Sequence, residues 1–245
     1  MRVVALNMNH KASERAIKLQ FVDAIKKLQP DLLTLNEYVH GSTRDPLVDA
    51  LSHIGLPHTL VSRQVTDKDN RLNNQVLFAS WYPLEAGGLL GPTTEDGGGE
   101  SNFLHIRIPA VELEVVGVRA PAYSSIAVLR DYWQALATTV RSTRDRPILF
   151  VGDFNADPDV PNRVGGQHLA ALRADGWQIP VAEGRWSFKS GSRIDHTIAS
   201  PSVTVSASRY VTQIEEILFA SQDSESAISD HAALVFEVRA AKSAG

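Results

Sequence analysis

Short apolar runs that end in, or open on, a small polar side chain recur along this chain, and they constrain its fold more than any other feature. Arg2–Leu6 runs into Asn7 and Asn9, and Asp31–Leu35 runs into Glu37. Pro147–Val151 runs into "GDFN", with Asp153 and Asn155 on the turn. Asp195 lies inside "SRIDHTIAS", and "SDHAALVF" sets Asp230 and His231 at the mouth of the last run. Runs this short, bounded by Gly, Pro, Asn and Asp, read as interior strands. One Asp or Asn after a strand is an ordinary turn residue, because its side chain bonds nearby backbone groups. Five such sites carry more weight. If those strand ends converge, they form a cleft of oxygen donors that suits Mg²⁺ or Mn²⁺.

Between the strands the spacing becomes helical. Ile17, Phe21, Ala24, Ile25 and Leu28 share a face that ends before Pro30. Asp45 is placed to cap a second helix, with Pro46 at its first position and Leu47, Ala50, Leu51 and Ile54 along its face. A third helix carries Ile126, Leu129, Trp133, Leu136 and Val140, and a shorter one is expected near His168–Arg173. Further strands are expected at His58–Arg63, Gln75–Ala79, Phe103–Ile108, Glu112–Val118, Arg193–Ala199, Val203–Val211 and Ala232–Val238. The order is βαβαβ, then hairpin-like strands, then α, β, α and more strands. It predicts an α/β (α+β) sandwich of packed sheets with helices on the outer faces, not a doubly wound parallel sheet. The Gly-rich stretch Gly91–Glu100 reads as a mobile loop. With no repeat and no long linker, a single domain is expected over residues 1–240, followed by a short tail at 241–245.

At 245 residues and 43% apolar content, such a chain can bury a core without metals or disulfides. It has no cysteine, which excludes disulfides, thiolate zinc sites and cysteine nucleophiles. The net charge of −4 disfavours a broad basic footprint on duplex DNA, whose affinity comes largely from phosphate neutralisation. It leaves room for a nuclease that grips a few nucleotides. No run approaches the roughly 20 apolar residues that span a bilayer, and no signal peptide is evident, so a cytoplasmic protein without membrane insertion is expected.

The set LNMN (6–9), LNE (35–37), GDFN (152–155), RID (193–195) and SDH (229–231) resembles the endonuclease/exonuclease/phosphatase superfamily of DNase I-like metal-dependent phosphoesterases. The motifs stand in the family's order and span nearly the whole chain. The resemblance implies a four-layer α/β sandwich of two packed mixed sheets flanked by helices. It also implies phosphate-ester hydrolysis with a divalent cation, usually Mg²⁺.

The resemblance further implies a role for each residue. Glu37 is the metal carboxylate, Asn7 and Asn9 are its neighbours in the metal shell, and Asp230 completes it. Asn9 stands where some members have an acid. Asp153 orients or deprotonates the attacking water, and Asn155 holds a phosphate oxygen. His231 is the catalytic histidine with Asp195 as its carboxylate partner. Either Asp153 or His231 can serve as base; Asp153 as base with an imidazolium at His231 is the preferred assignment. Asn74 lies near the scissile phosphate, and Trp186, Ser187 and Phe188 resemble a short aromatic segment that walls the site. Arg119 stands where many members carry His or Tyr. It cannot release its proton at working pH, so it is expected to clamp anionic phosphate.

The leading expectation is a Mg²⁺-dependent phosphodiesterase acting on nucleic acid as a monomer. A phosphomonoesterase or small-molecule phosphodiesterase is the enzymatic alternative, and a non-catalytic binding module of the same fold is the third. Specificity is expected from the loops His40–Arg44, Thr66–Asn73, Gly91–Glu100 and Leu218–Ser226, with Arg63, Lys68 and Arg71 beside the second.

Overall fold

The computed structural model describes residues 1–9, 19–39, 44–66, 73–122, 125–224 and 226–241. Ile17, Lys68, Arg71 and residues 242–245 fall outside them, as does most of the loops His40–Arg44 and Thr66–Asn73. The strands are β1 Arg2–Asn7, β2 Leu32–Tyr38, β3 His58–Val61, β4 Gln75–Ser80, β5 Glu85–Ala86, β6 Phe103–Ile108, β7 Leu113–Arg119, β8 Ile148–Asp153, β9 Asp195–Ala199, β10 Val203–Val211, β11 Gln213–Ile214, β12 Ile217–Leu218 and β13 Ala233–Ala240. The helices are α1 Leu19–Leu28, α2 Arg44–His53, α3 Gly98–Ser101, α4 Ile126–Ser142 and α5 Val164–Ala174.

Two mixed sheets carry the molecule. One has the order β10-β13-β1-β2-β4-β3 and the other β5-β6-β7-β8-β9, with β11 and β12 forming a small hairpin apart. The central strands are buried on both faces, and their alternate residues divide between two cores. Val3, Ala5 and Leu32 face Val115, Leu149 and Val151 of the opposite sheet. Val4, Leu6, Leu33 and Leu35 face outward onto Phe21 and Ile25 of α1 and Leu47 and Leu51 of α2. On the far side, Val116, Ile148 and Phe150 pack against Trp133 and Leu136 of α4 and Leu169 of α5. This is the four-layer sandwich, and it explains why the strands read as continuous apolar runs without polar alternation.

Several element boundaries differ from expectation. The last helix starts at Val164, four residues before His168, and so includes Gly165 and Gly166 despite their poor helix propensity. A Cβ at Gly165 would lie 2.5 Å from the Ala156 Cβ and 2.7 Å from the Trp133 ring, so close packing of α5 on α4 requires glycine there. β9 begins at Asp195, not Arg193. Arg193 instead bonds the Ala182 and Gly184 carbonyls, and the Ile194 N–H goes to Ser187 Oγ. α2 begins one residue before Asp45, which joins the first turn, where its charge complements the helix dipole.

The stretch Gly91–Glu100 is built, not loose. Thr94 Oγ1 donates to Asp96 Oδ1 at 2.6 Å, and the N–H groups of Gly98 and Gly99 bond Asp96 Oδ1 and Thr94 Oγ1 at 2.9 Å each. The segment closes into α3, whose Ser101 is fully buried against Ser62. Its glycines serve close backbone approach.

Gly152 positions the turn that carries Asp153. Its φ is +136°, and a Cβ would sit 2.2 Å from the Val118 carbonyl and 2.5 Å from Asn36 Oδ1. Both neighbours belong to the junction between the two sheets. Gly152→Ala combines backbone strain with overpacking, and an expected loss of about 3 kcal/mol follows. Thermal unfolding checks it, since that loss lowers Tm by roughly 6–12 °C in a chain of this size. A drop of under 2 °C would contradict the account.

Candidate active site

Strand direction explains how the polar residues meet. β1 and β2 are parallel with Asn7 opposite Asn36, and β7 and β8 are parallel with Arg119 opposite Asp153. Their C-terminal ends lie at one edge of the sandwich. β9 and β13 run antiparallel to β8 and β1, so their starting ends arrive at the same edge. That is why Asp195 opens β9 and His231 precedes β13, while Asn7, Glu37 and Asp153 sit at the C-terminal ends of their strands.

Side chains then join the two sheets. Asn7 Nδ2 donates to Asp153 Oδ2 at 2.9 Å and to Glu37 Oε1 at 3.2 Å. Arg119 Nε donates to the same Glu37 oxygen at 2.8 Å. Asn36, fully buried, donates to the Val118 carbonyl at 3.1 Å and accepts from the Asp153 N–H at 3.3 Å. Three residues of the cluster hold the left-handed conformation: Asn9 with φ 48°, Glu37 with φ 53° and Asn155 with φ 47°. Glu37 lies where the register of β2 with β4 shifts between Leu35 and Tyr38. Such a bulge re-aims a side chain, and strained backbone of this kind concentrates at functional sites.

Asp153 is 1% exposed and accepts three hydrogen bonds. Oδ1 takes the Asn155 N–H at 2.9 Å, and Oδ2 takes Asn7 Nδ2 and Asn155 Nδ2 at 2.9 and 3.1 Å. Asn155 Nδ2 also donates to the Ala120 carbonyl at 2.8 Å, so both of its amide hydrogens are engaged in holding the turn. Beside Asp153, His231 Nδ1 lies 2.9 Å from Asp195 Oδ2. Ligand-capable atoms of Asp153, Asp195 and His231 all lie within 4.8 Å of one another. His231 Nε2 lies 4.0 Å from Asp230 Oδ1.

The support of this pair was only partly legible. Ser187 Oγ accepts the N–H groups of Ile194 and Asp195 at 2.9 and 3.1 Å, and Tyr210 donates its hydroxyl to the Asp195 carbonyl at 2.8 Å. The Phe188 ring lies 4.9 Å from the His231 ring. Ser229 Oγ donates to the Asn7 carbonyl at 2.6 Å and accepts the His231 N–H at 3.1 Å, locking β1 to the last motif. Asn36 and Ser229 stand inside the quoted motifs, yet only their burial reveals their work. Tyr210 had no sequence signal.

Burial pushes the Asp153 carboxyl up, and the negative charge of Asp195 adds to it, while His231 and Arg119 pull it back to about 6. Burial alone would lower His231. Its contact with Asp195, helped by Asp153 and Asp230, outweighs burial and lifts the imidazole to about 9. At neutral pH the site therefore holds an ionised Asp153 beside an imidazolium.

Not every expected residue joins the central cluster. Asn74 lies across a cavity that it shares with Arg119. Asn9 gives its N–H to Asn7 Oδ1 at 2.8 Å, and it lines a second cavity with Lys189, Ser229 and Asp230. Trp186 is partly buried, and among the described residues the ring against His231 is that of Phe188.

A sequence model of the Endonuclease/Exonuclease/phosphatase family matches residues 4–231. The chain belongs to that family. No curated protein matches it in sequence. Among solved structures it is similar to an endonuclease/exonuclease/phosphatase family protein from Beutenbergia cavernae, with TM-score 0.72 and 19% identity over 98% of this chain and 72% of that one. It is also similar to the 3′ phosphatase NExo from Neisseria bound to product DNA hairpin, with TM-score 0.65 and 18% identity over 97% of this chain and 98% of that one. An AP endonuclease from Archaeoglobus fulgidus gives TM-score 0.66 and 15% identity over 97% of this chain and 98% of that one. At these identities the likenesses show a shared phosphoesterase fold.

The family generally uses divalent metals, and the donor set of this member fits one. Glu37, Asp153, Asp195 and Asp230 outnumber Arg119, the His231 imidazolium and Lys189, whose Nζ lies 4.0 Å from Asp230, and the chain has no thiolate. Such an excess of carboxylate oxygen at a largely buried site calls for a hard cation. Among the described residues, no helix is long and apolar enough to cross a membrane.

Proposed function

We propose that this chain is a divalent-cation-dependent phosphodiesterase that hydrolyses nucleic acid by in-line attack of an activated water. The observation that carries the reading is the Asp153 carboxylate held by Asn7 and Asn155 within 4.8 Å of the His231–Asp195 pair. A binding module needs no buried base set beside an imidazolium. The nucleic-acid assignment draws on the neighbours, one bound to product DNA hairpin and one an AP endonuclease.

In this reading Asp153 Oδ1, which accepts one N–H, takes the proton of the attacking water with a remaining lone pair. Arg119 offers its terminal amino groups to a non-bridging phosphate oxygen, since its bond to Glu37 is made through Nε. Asn155 acts first as a positioning residue; donating to phosphate would require it to release Ala120 or Asp153. His231 holds Nδ1 toward Asp195 and presents Nε2 to charge developing on the phosphoryl group. Glu37, with Asn7, Asn9 and Asp230, would hold the cation, which supplies Lewis-acid polarisation of a phosphate oxygen.

The test is hydrolysis of plasmid DNA, single-stranded DNA, an aryl phosphodiester and its monoester with Mg²⁺ or Mn²⁺. Asp153→Ala and His231→Ala serve as blanks. DNA and diester cleavage that vanishes with EDTA and in both variants is expected. Turnover of the monoester alone would replace the reading with a phosphatase, as the 3′ phosphatase neighbour suggests.

A pH dependence follows from the same pair. Activity needs Asp153 ionised and His231 protonated, so kcat/KM should rise as pH passes about 6 and fall as it passes about 9. A bound cation favours the carboxylate and moves the acid limb lower. The two limbs belong to the coupled pair. A profile still rising beyond pH 10 would exclude an essential imidazolium.

A further inference from the structure

A cavity of about 290 Å³ opens beside Arg119, between the Gly-rich segment and the start of α4. Arg119 joins it to the catalytic cluster through Glu37. One wall is positive: the Arg119 guanidinium and the N-terminus of α4 at Ser125 both line it. Glu95 and Asp96 also line it and add negative charge, neither of them in an ion pair with Arg119, and Asn73 and Asn74 line it as well.

The negative wall is fixed in place. Asp96 Oδ1 takes Thr94 Oγ1 and the Gly98 N–H, and Asn73 Nδ2 bonds the Asp96 carbonyl at 2.6 Å. Among the described residues, Asp96 Oδ2 has no donor and Glu95 pairs with no cation. The wall is also tied to the catalytic residue itself: the Arg119 N–H bonds the Asn102 carbonyl at 2.9 Å, and Asn102 Nδ2 bonds the Gly98 carbonyl at 2.9 Å.

A polarised cavity of this kind selects its occupant. A phosphate fits at the Arg119 end, where the cation and helix terminus favour it. A second phosphate near Glu95 and Asp96 would face two exposed carboxylates, and like charges repel. Hydroxyl and amino groups suit that end instead, because each carboxylate is an acceptor without a hydrogen to give. The volume lies near the lower end of small-ligand sites, which begin at about 300 Å³, so one compact group fills it.

We propose that this cavity is the subsite for the uncharged, donor-bearing group esterified to the scissile phosphate, a terminal nucleoside, and that Glu95 and Asp96 reject substrates phosphorylated at that end. The proposal rests on the phosphodiesterase reading and narrows it from nucleic acid at large to chain ends.

Two measurements separate the subsite from the activity. Binding is measured by calorimetry in EDTA, with a dinucleoside monophosphate carrying no terminal phosphate, a 5′-phosphate or a 3′-phosphate. Hydrolysis of the same three is measured with Mg²⁺. One of the phosphorylated forms is expected to bind about tenfold more weakly than the unphosphorylated form and to show a similarly lower kcat/KM. Glu95→Gln should shrink that gap to about threefold, and Glu95→Lys should abolish or reverse it. Hydrolysis of the aryl diester, too small to reach the acidic wall, should be unchanged in both variants. Equal binding of all three forms to the wild type would overturn the subsite, even with brisk turnover. Discrimination in binding without turnover would leave the subsite standing and bring down the proposed activity. A gap that persists in Glu95→Lys would also overturn the assignment.

Discussion

Replacing Asp153 with Asn is expected to lower kcat/KM by about 10³-fold or more, the upper part of what a positioned general base contributes. The same change should cost little stability in EDTA. In the folded protein the carboxyl is raised from its ordinary 3.8 to about 6, so the native state binds that proton more tightly than the unfolded chain. An acid raised in this way disfavours folding where it is ionised, by roughly 3 kcal/mol at neutral pH. The penalty fades as pH falls through 6 and is gone below 3.8. Asn removes it, but one amide hydrogen must then face Asn7 Nδ2 or a hydrogen of Asn155, and losing those bonds offsets much of the gain. The expected Tm in EDTA is thus equal to or above that of the wild type at pH 8, with the difference falling toward the acid side. Added Mg²⁺ should stabilise the wild type more than the variant by mass action. Activity above a tenth of the wild type would remove Asp153 from the role of water activator.

The sandwich was legible because the central strands of both sheets are buried on both faces. Val3–Leu6, Leu32–Leu35 and Ile148–Val151 therefore read as apolar runs, interrupted only by the buried Thr34. The helices were legible from one-sided spacing, as with Phe21, Ile25 and Leu28. The helix expected near His168–Arg173 begins four residues earlier, at Val164, and takes in Gly165 and Gly166, which are poor helix formers. Packing on Trp133 overrides that propensity. The Gly-rich segment also departs from expectation. Glycine signals either freedom or close approach, and only the tertiary contacts of Gly91 and Gly99 decide between them.

The cluster itself was half legible. Motif residues mark the strand ends, but sequence order says nothing about which ends meet. Asn7 and Asp153 lie 146 residues apart, yet they share a 2.9 Å bond because two sheets face each other across Asn36. Arg119 shows the limit from another side. Its substitution pattern suggested a phosphate clamp, while the structure also places its Nε on Glu37, where it offsets the carboxylate charge that a cation needs. The two uses are compatible, since different nitrogens serve them.

Asp195→Asn is expected to cost about 10³- to 10⁴-fold in kcat/KM at neutral pH, as loss of an orienting carboxylate does in other His–Asp pairs. The backbone of residue 195 should hold its place, because Ser187 Oγ accepts its N–H and Tyr210 donates to its carbonyl, neither through the carboxylate. The change is therefore electrostatic. Burial lowers the His231 imidazole, and Asp195 is the largest influence raising it. Without that charge burial weighs more heavily and the ring holds its proton less tightly, and Nδ1 meets an amide whose orientation no longer dictates the tautomer. The alkaline limb of the pH profile should then move down from about 9. The His231 ring signals, followed by NMR in the metal-free protein, should titrate over the same lower range. Stability follows with a defined sign: a histidine raised in the folded state contributes stability below 6.5 that is lost as pH rises through about 9. The variant should be less stable than the wild type at pH 6 and converge on it above pH 9. If activity fell while the imidazole still titrated near 9, Asp195 would be acting on the chemistry by a route other than the charge state of His231.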